Sequence, residues 1–165
     1  MKNLVLIGLP GCGKSTVGKC LATELALEFV DCDVEIEKLS GKSIAELFAQ
    51  DGEEVFRNWE SDVLASALNT PGKVISTGGG VVGRAVNREA MRRAAVVFLD
   101  RKPENIMLTC DMAGRPMMTR YSLEDLSAQR RQLYLDCADH VVTAENLEII
   151  TSDIIGYWRE GICAF

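Results

Sequence analysis

The sequence lacks several features, and each absence removes a class of function. It has no excess of positive charge: 18 Lys plus Arg against 24 Asp plus Glu leave a net charge of −6. That excludes the usual nucleic-acid binder, whose basic stripe would dominate the balance. It has no long apolar run. The longest, residues 94–99, is far below the roughly 20 residues that cross a bilayer, so no membrane partner is expected. Leu4–Ile7 meets Gly8 and Pro10 too soon to be the core of a signal peptide. There is one histidine, His140, and the six cysteines (Cys12, Cys20, Cys32, Cys110, Cys137 and Cys163) form no C-x-x-C pair. Neither a zinc site nor a disulfide scaffold is expected. The thiols read instead as reduced apolar fillers in a cytoplasmic protein. No repeat, low-complexity tract or linker interrupts the chain. Its 165 residues, 47% of them hydrophobic, suit one domain spanning 1–165 rather than a disordered segment.

What is present is an alternation of short apolar runs with helical patterns. Leu4–Ile7 predicts a first strand, and from Lys14 onward Val17, Cys20, Leu21 and Leu25 recur at helical spacing. Residues 28–30 predict a second strand, ending at Asp31. Ser43 followed by Glu46 fits a capping box, and Asp51 is expected to open a helix carrying Val55, Phe56, Trp59, Val63 and Leu64. Lys73–Ser76, Ala95–Leu99 and His140–Val142 predict three further strands. Pro103 suits a helix's first turn, and residues 123–138 and 146–158 predict the last helices. Short buried strands separated by helices indicate an α/β three-layer sandwich with a central five-stranded parallel sheet and helices on both faces. Ligands of such folds bind at the carboxyl ends of the strands.

Those ends carry the chemistry. Gly8-Leu9-Pro10-Gly11-Cys12-Gly13-Lys14-Ser15-Thr16 fits the P-loop pattern, in which backbone N–H groups wrap around phosphate oxygens. Its expected ATP-binding residues are Gly11, Cys12, Gly13, Lys14, Ser15 and Thr16. Lys14 would reach the β- and γ-phosphates, and Ser15 would ligate one Mg²⁺ ion. Cys12, near a helix N-terminus and Lys14, is either a small filler or a reactive thiol. No Asn-Lys-x-Asp segment occurs, which removes the GTPase reading. Asp100, at the end of the fourth strand, is a weak candidate for the metal partner of a motor ATPase. Asp31-Cys32-Asp33 offers paired carboxylates; in an extended segment they would share a face about 7 Å apart. One could serve Mg²⁺ through water while the other meets an attacking hydroxyl. The alternative is a strand-end pair capping the next helix.

With these segments in place the chain resembles the shikimate kinases, small P-loop kinases of the aromatic amino-acid pathway. The resemblance rests on the P-loop, Asp31-Cys32-Asp33, Phe56-Arg57-Asn58-Trp59-Glu60, Thr77-Gly78-Gly79-Gly80, Gly114-Arg115-Pro116, and Arg130 four residues before Tyr134. It implies a P-loop kinase-type fold with a lid at about 111–122 and an acceptor-binding region at about 31–60. It also implies ATP-dependent phosphorylation of the shikimate 3-hydroxyl, with ATP and shikimate as partners of a monomer. On this reading the catalytic residues are Asp33 (base), Lys14 and Arg115, with Arg115 also binding ATP. Asp33, Arg57, Gly78, Gly79, Gly80 and Arg130 bind shikimate, Glu60 holds Arg57, and Asp31 holds Mg²⁺ through water. The glycines are expected to let backbone N–H groups approach the ring. Arg131 beside Arg130 leaves the carboxylate ligand open by one residue. Leu108 stands where the family often carries an arginine against adenine, and the lid looks short. The competing readings are gluconate kinase, or a nucleotide-binding regulatory module without turnover.

Overall fold

The computed structural model describes residues 2–110 and 121–163, with side chains described to residue 161. Strand β1 (Leu4–Ile7) lies at the centre of a five-stranded sheet of order β2-β3-β1-β4-β5, and every pairing is parallel. The others are β2 (Glu28–Asp31), β3 (Lys73–Ser76), β4 (Ala95–Leu99) and β5 (His140–Val142). All four β1 side chains are fully buried. Because neighbouring side chains in a strand point to opposite faces, both faces of the sheet are covered. This explains the unbroken apolar runs of β1 and β4, and it makes the fold the α/β sandwich expected from the sequence.

Helix α1 (Lys14–Leu25) follows β1 and buries Val17, Gly18, Leu21 and Ala22. Gly18 is required by packing, since a Cβ there would fall 2.5 Å from the Phe29 ring. Helix α2 (Cys32–Ser40) follows β2 directly. The expected capping box is present: Ser43 caps α3 (Ile44–Glu46), which runs into a π turn over Leu47–Asp51. The next helix, α4 (Glu53–Leu68), starts two residues after Asp51, with Gly52 as its N-cap. Asp51 therefore belongs to the preceding turn, where it is paired with Lys42. Of the apolar residues carried by α4, Val55 is exposed; the buried face runs through Phe56, Glu60, Val63 and Leu64.

After β3 come a 3₁₀ turn at Val81–Gly83 and α5 (Ala85–Met91). Helix α6 (Pro103–Thr109) has Pro103 in its first turn, as expected. Ser122 caps α7 (Leu123–Cys137) with a reciprocal Asp125 bond, and α8 (Leu147–Cys163) ends the described chain. Among the described residues no helix is long and apolar enough to cross a membrane. The five cysteines whose side chains are described are free thiols. The lid at 111–122, with Gly114, Arg115 and Pro116, lies outside the described residues except for Tyr121 and Ser122.

Candidate active site

The carboxyl ends of β1, β2 and β3 meet around one cleft of about 340 Å³. At its floor the chain leaves β1 through Gly8, whose φ is 148°. A Cβ at Gly8 would lie 2.8 Å from the Leu99 carbonyl oxygen and 2.9 Å from Cys12 Sγ, so glycine is required twice over. Gly13, with φ 99°, turns the loop into α1 as its N-cap and, having no side chain, makes no cap hydrogen bond to the helix's first N–H groups. Those donors and the positive end of the helix dipole border the cleft, as an anion site demands. The Lys14 ammonium is buried and donates to the carbonyls of Gly8 at 3.0 Å and Leu9 at 2.8 Å. It braces the loop from inside. Cys12 is buried beneath the loop, which fits the filler reading and removes the exposure that a reactive thiol needs.

Asp31 and Ser76 are the last residues of β2 and β3 and pair in register. Ser15 reaches between them: its hydroxyl donates to Asp31 Oδ2 at 2.5 Å and lies 3.3 Å from Ser76 Oγ. The Asp31-Cys32-Asp33 segment is not extended, which corrects the shared-face expectation. Helix α2 begins at Cys32, and Asp31 Oδ1 caps it by accepting from the N–H of Asp33 at 3.1 Å and of Val34 at 3.4 Å. The orphan donors of a helix start make that cap the favoured arrangement. Asp31 thus serves the helix with one oxygen and Ser15 with the other. Cys32 points into the core, and burial, reinforced by the charges of Asp33 and Asp31, pushes its thiol well above the usual range. Asp33 lines the cleft.

The acceptor side is organised by the three glycines after β3. A Cβ on Gly78 would fall 2.8 Å from Glu60 Oε1 and 3.0 Å from Asp33 Oδ1. On Gly79 it would strike the Pro10 ring at 2.7 Å, and on Gly80 it would lie 2.0 Å from Arg57 Nη1. The clearance expected for a ligand ring is therefore occupied by the protein's own carboxylates, proline and guanidinium. Glu60 is 1% exposed and accepts from Arg57 Nη1 at 2.9 Å; Arg57 Nη2 meets Glu53 at 3.3 Å. Spacing alone allowed an ordinary surface ion pair, but the helix buries this one. Burial pushes the Glu60 carboxyl upward against the pull of Arg57. Burial opposes the charge on Arg57 too, yet Glu60 and Glu53 hold its guanidinium above the ordinary value.

Arg130 closes the other side, donating from Nη1 to the Gly79 carbonyl at 3.1 Å. Arg131 turns away and makes two hydrogen bonds with Asp100, at 2.7 and 3.3 Å. Arg130 is therefore the arginine at the glycine loop, and Asp100 is engaged elsewhere. Tyr134, one turn after Arg130 and fully buried, donates to the same Gly79 carbonyl and stacks on Phe98 with centroids 4.9 Å apart.

The family model for shikimate kinase matches residues 10–156. The chain belongs to the shikimate kinase family. It is 38% identical over 159 residues to a shikimate kinase of Clostridium botulinum (strain Eklund 17B / Type B), covering 93% of this chain and 96% of that relative. Its fold matches that of shikimate kinase from Acinetobacter baumannii in complex with shikimate, with a TM-score of 0.92, 32% identity, and coverage of 98% and 94% of the two chains. A gluconokinase from Sinorhizobium meliloti 1021 is more distant, with a TM-score of 0.54, 20% identity, and coverage of 92% and 87%; it shares the fold alone. Shikimate kinase family members use ATP to phosphorylate a hydroxyl group, so the chain is an ATP-dependent phosphotransferase.

For a shikimate kinase family member, the structure brings together Gly11, Cys12, Gly13, Lys14, Ser15, Thr16 and Asp33 along one cleft. Asp33, Arg57 and Arg130 converge on Gly78, Gly79 and Gly80. Leu108, at the position where the family often carries an arginine against adenine, is 84% exposed. Three roles were missing from the sequence reading. Ser76 had a signal, a hydroxyl ending an otherwise apolar strand beside the P-loop. The anchoring role of Tyr134 and the cleft position of Arg101 had none, because both depend on partners distant in sequence.

Proposed function

We propose that the reaction is phosphorylation of the shikimate 3-hydroxyl by ATP, giving shikimate 3-phosphate and ADP. The observation that carries the reading is the convergence of two arginines, Arg57 and Arg130, on the glycine loop beside Asp33. Two guanidiniums suit a carboxylate through charge-assisted, fork-shaped hydrogen bonds. Asp33 is then placed to accept the proton of the hydroxyl as its oxygen attacks the γ-phosphorus and the bond to the ADP oxygen breaks. Lys14 and the α1 N-terminus stabilise charge on the phosphates, and Arg115 would add a further cation from the lid.

Ser15, Asp31 and Ser76 form a cluster of hard oxygen donors whose chemistry fits Mg²⁺. That ion takes one or two protein oxygens and otherwise keeps water and phosphate. When bound it would neutralise developing charge between the β- and γ-phosphates.

A coupled assay of ADP release with shikimate, with gluconate and without an acceptor tests the reading. Shikimate should stimulate turnover by orders of magnitude over the other two. Equal rates without acceptor would overturn it, and preference for gluconate would transfer the arginine pair to that substrate. Asp33→Asn should abolish transfer while ADP still binds.

A further inference from the structure

The two arginines of the acceptor site belong to separate parts of the fold. Arg130 is bound to the glycine loop through the Gly79 carbonyl. The turn that continues this loop is held by α5. Asn87, buried, donates from Nδ2 to the Val81 carbonyl at 3.0 Å, and Arg88 Nη1 donates to the Val82 and Gly83 carbonyls at 2.7 and 3.3 Å. Arg57 belongs to α4 instead. On that helix Arg57 and Glu60 face the glycines, and Glu54, Asn58 and Ser61, four and three residues apart, form a stripe beside them. Arg84, the residue between the turn and α5, reaches across to this second stripe. Its Nη1 donates to Asn58 Oδ1 at 2.8 Å and to Ser61 Oγ at 3.4 Å, and its Nη2 pairs with Glu54. Ser61 in turn donates from Oγ to the Arg57 carbonyl at 3.0 Å.

We propose that Arg84 is a positioning residue for the acceptor: it fixes α4 against the glycine turn and so sets the spacing of Arg57 and Arg130, between which a carboxylate must fit. A carboxylate accepts from two guanidiniums only while both forks point at it. A shift of α4 along or about its axis carries Arg57 with it, and a misplacement of about 1 Å in an aligned site can cost about 100-fold. The tie uses the planar fork of arginine, with one nitrogen on Asn58 and Ser61 and the other on Glu54. Glu54 is 84% exposed, against 25% for Arg84, so solvent screens that pair and the bond to Asn58 carries most of the tie. The inference rests on the carboxylate-binding reading of Arg57 and Arg130.

The test is steady-state kinetics of the full chain, with shikimate and ATP varied in turn, and a thermal melt of each variant. Arg84→Ala should raise shikimate KM about fivefold, the scale of one hydrogen bond to a neutral acceptor. Its kcat and ATP KM should stay within about twofold, the pattern of lost ground-state binding. Arg84→Lys, which keeps the charge but not the fork, should recover part of the loss, and Glu54→Gln should change little. In an Arg57→Lys background, where the aimed fork is already gone, Arg84→Ala should raise shikimate KM by less than about twofold. An equal cost in both backgrounds would mean that Arg84 does not act through Arg57, and would overturn the proposal. So would a matching loss for ATP, which would mark a loosened fold. If wild type responds to shikimate and both Arg84 variants match it, the positioning role alone falls. If wild type does not respond to shikimate, the acceptor reading falls and this inference falls with it.

Discussion

The Arg57 guanidinium occupies the space that any side chain at position 80 would need: a Cβ on Gly80 would lie 2.0 Å from Nη1. The clash involves the far end of a flexible side chain, so Gly80→Ala should fold by moving Arg57 rather than by moving the backbone. The guanidinium would then lose its hydrogen bond to Glu60 and its aim. A hydrogen bond to a charged group is worth about 1.5–3 kcal/mol, which corresponds to a rise in shikimate KM of about tenfold or more. ATP KM should not change. Steady-state kinetics with each substrate varied in turn would decide, and an unmoved shikimate KM would separate Gly80 from acceptor binding.

Removing the cation from the other side exposes what Glu60 costs. In Arg57→Met the carboxylate, 1% exposed, would be left in the core without its partner. Such a loss destabilises by about 3–5 kcal/mol. Burial already raises the Glu60 pKa, and loss of Arg57 removes the first of the effects that lower it. A carboxyl whose folded pKa lies above the unfolded value, about 4.3, binds more protons when folded. The stability deficit of Arg57→Met should therefore shrink as pH falls from neutrality through the folded pKa. Urea unfolding at a series of pH values measures it, and a pH-independent deficit would contradict the buried-carboxylate account. Arg57→Met with Glu60→Leu should recover stability without recovering affinity for the acceptor.

Asp31 performs two tasks with separate oxygens, and two substitutions separate them. Asp31→Asn retains an acceptor for the N–H groups of Asp33 and Val34 but loses the charge facing Ser15. The expectation is a higher Mg²⁺ requirement for turnover with little change in Tm. Asp31→Ala removes the cap as well, at a cost of about 1 kcal/mol, and should both raise the Mg²⁺ requirement and lower Tm. Titrating activity with Mg²⁺ alongside thermal melts checks both variants; equal Mg²⁺ dependence in wild type and Asp31→Asn would take Asp31 out of the metal's surroundings.

All five strands were legible in the sequence, β1 and β4 most plainly because their burial is continuous, and so were the helices α1, α7 and α8. Helices α2 and α5 were not legible, and their burial explains why. In α2 only Cys32 and Ile36 are buried, and in α5 only Asn87 and Met91, so neither writes an apolar stripe. The site divides in the same way. Its residue types were readable because phosphate and carboxylate chemistry demands glycine, lysine, aspartate and arginine in particular order. Which atoms they meet was not. The choice of Arg130 over Arg131 depends on the helical phase of α7 against Asp100 and Gly79, and the role of each glycine depends on a side chain about 20 to 70 residues away. Arg115 was legible as a motif residue and lies outside the described structure.

Tyr134 offers the last test, because its hydroxyl anchors the glycine loop from inside the core. It donates to the Gly79 carbonyl that Arg130 also holds. Tyr134→Phe keeps the ring stacked on Phe98 and removes only the donor. Since Gly79 retains its bond from Arg130, the stability loss should be near the ordinary value of about 1 kcal/mol. The glycine loop and Arg130 would be held less firmly, so shikimate KM should rise a few-fold while ATP KM stays constant. Alkaline pH supplies an independent readout. Burial pushes the Tyr134 hydroxyl well above its ordinary value, so the folded protein keeps a proton that the unfolded chain releases above pH about 10. Wild-type stability should fall with rising pH beyond that point, and the fall should be shallower in Tyr134→Phe. Identical alkaline slopes in the two proteins would mean that the hydroxyl is not held by the core.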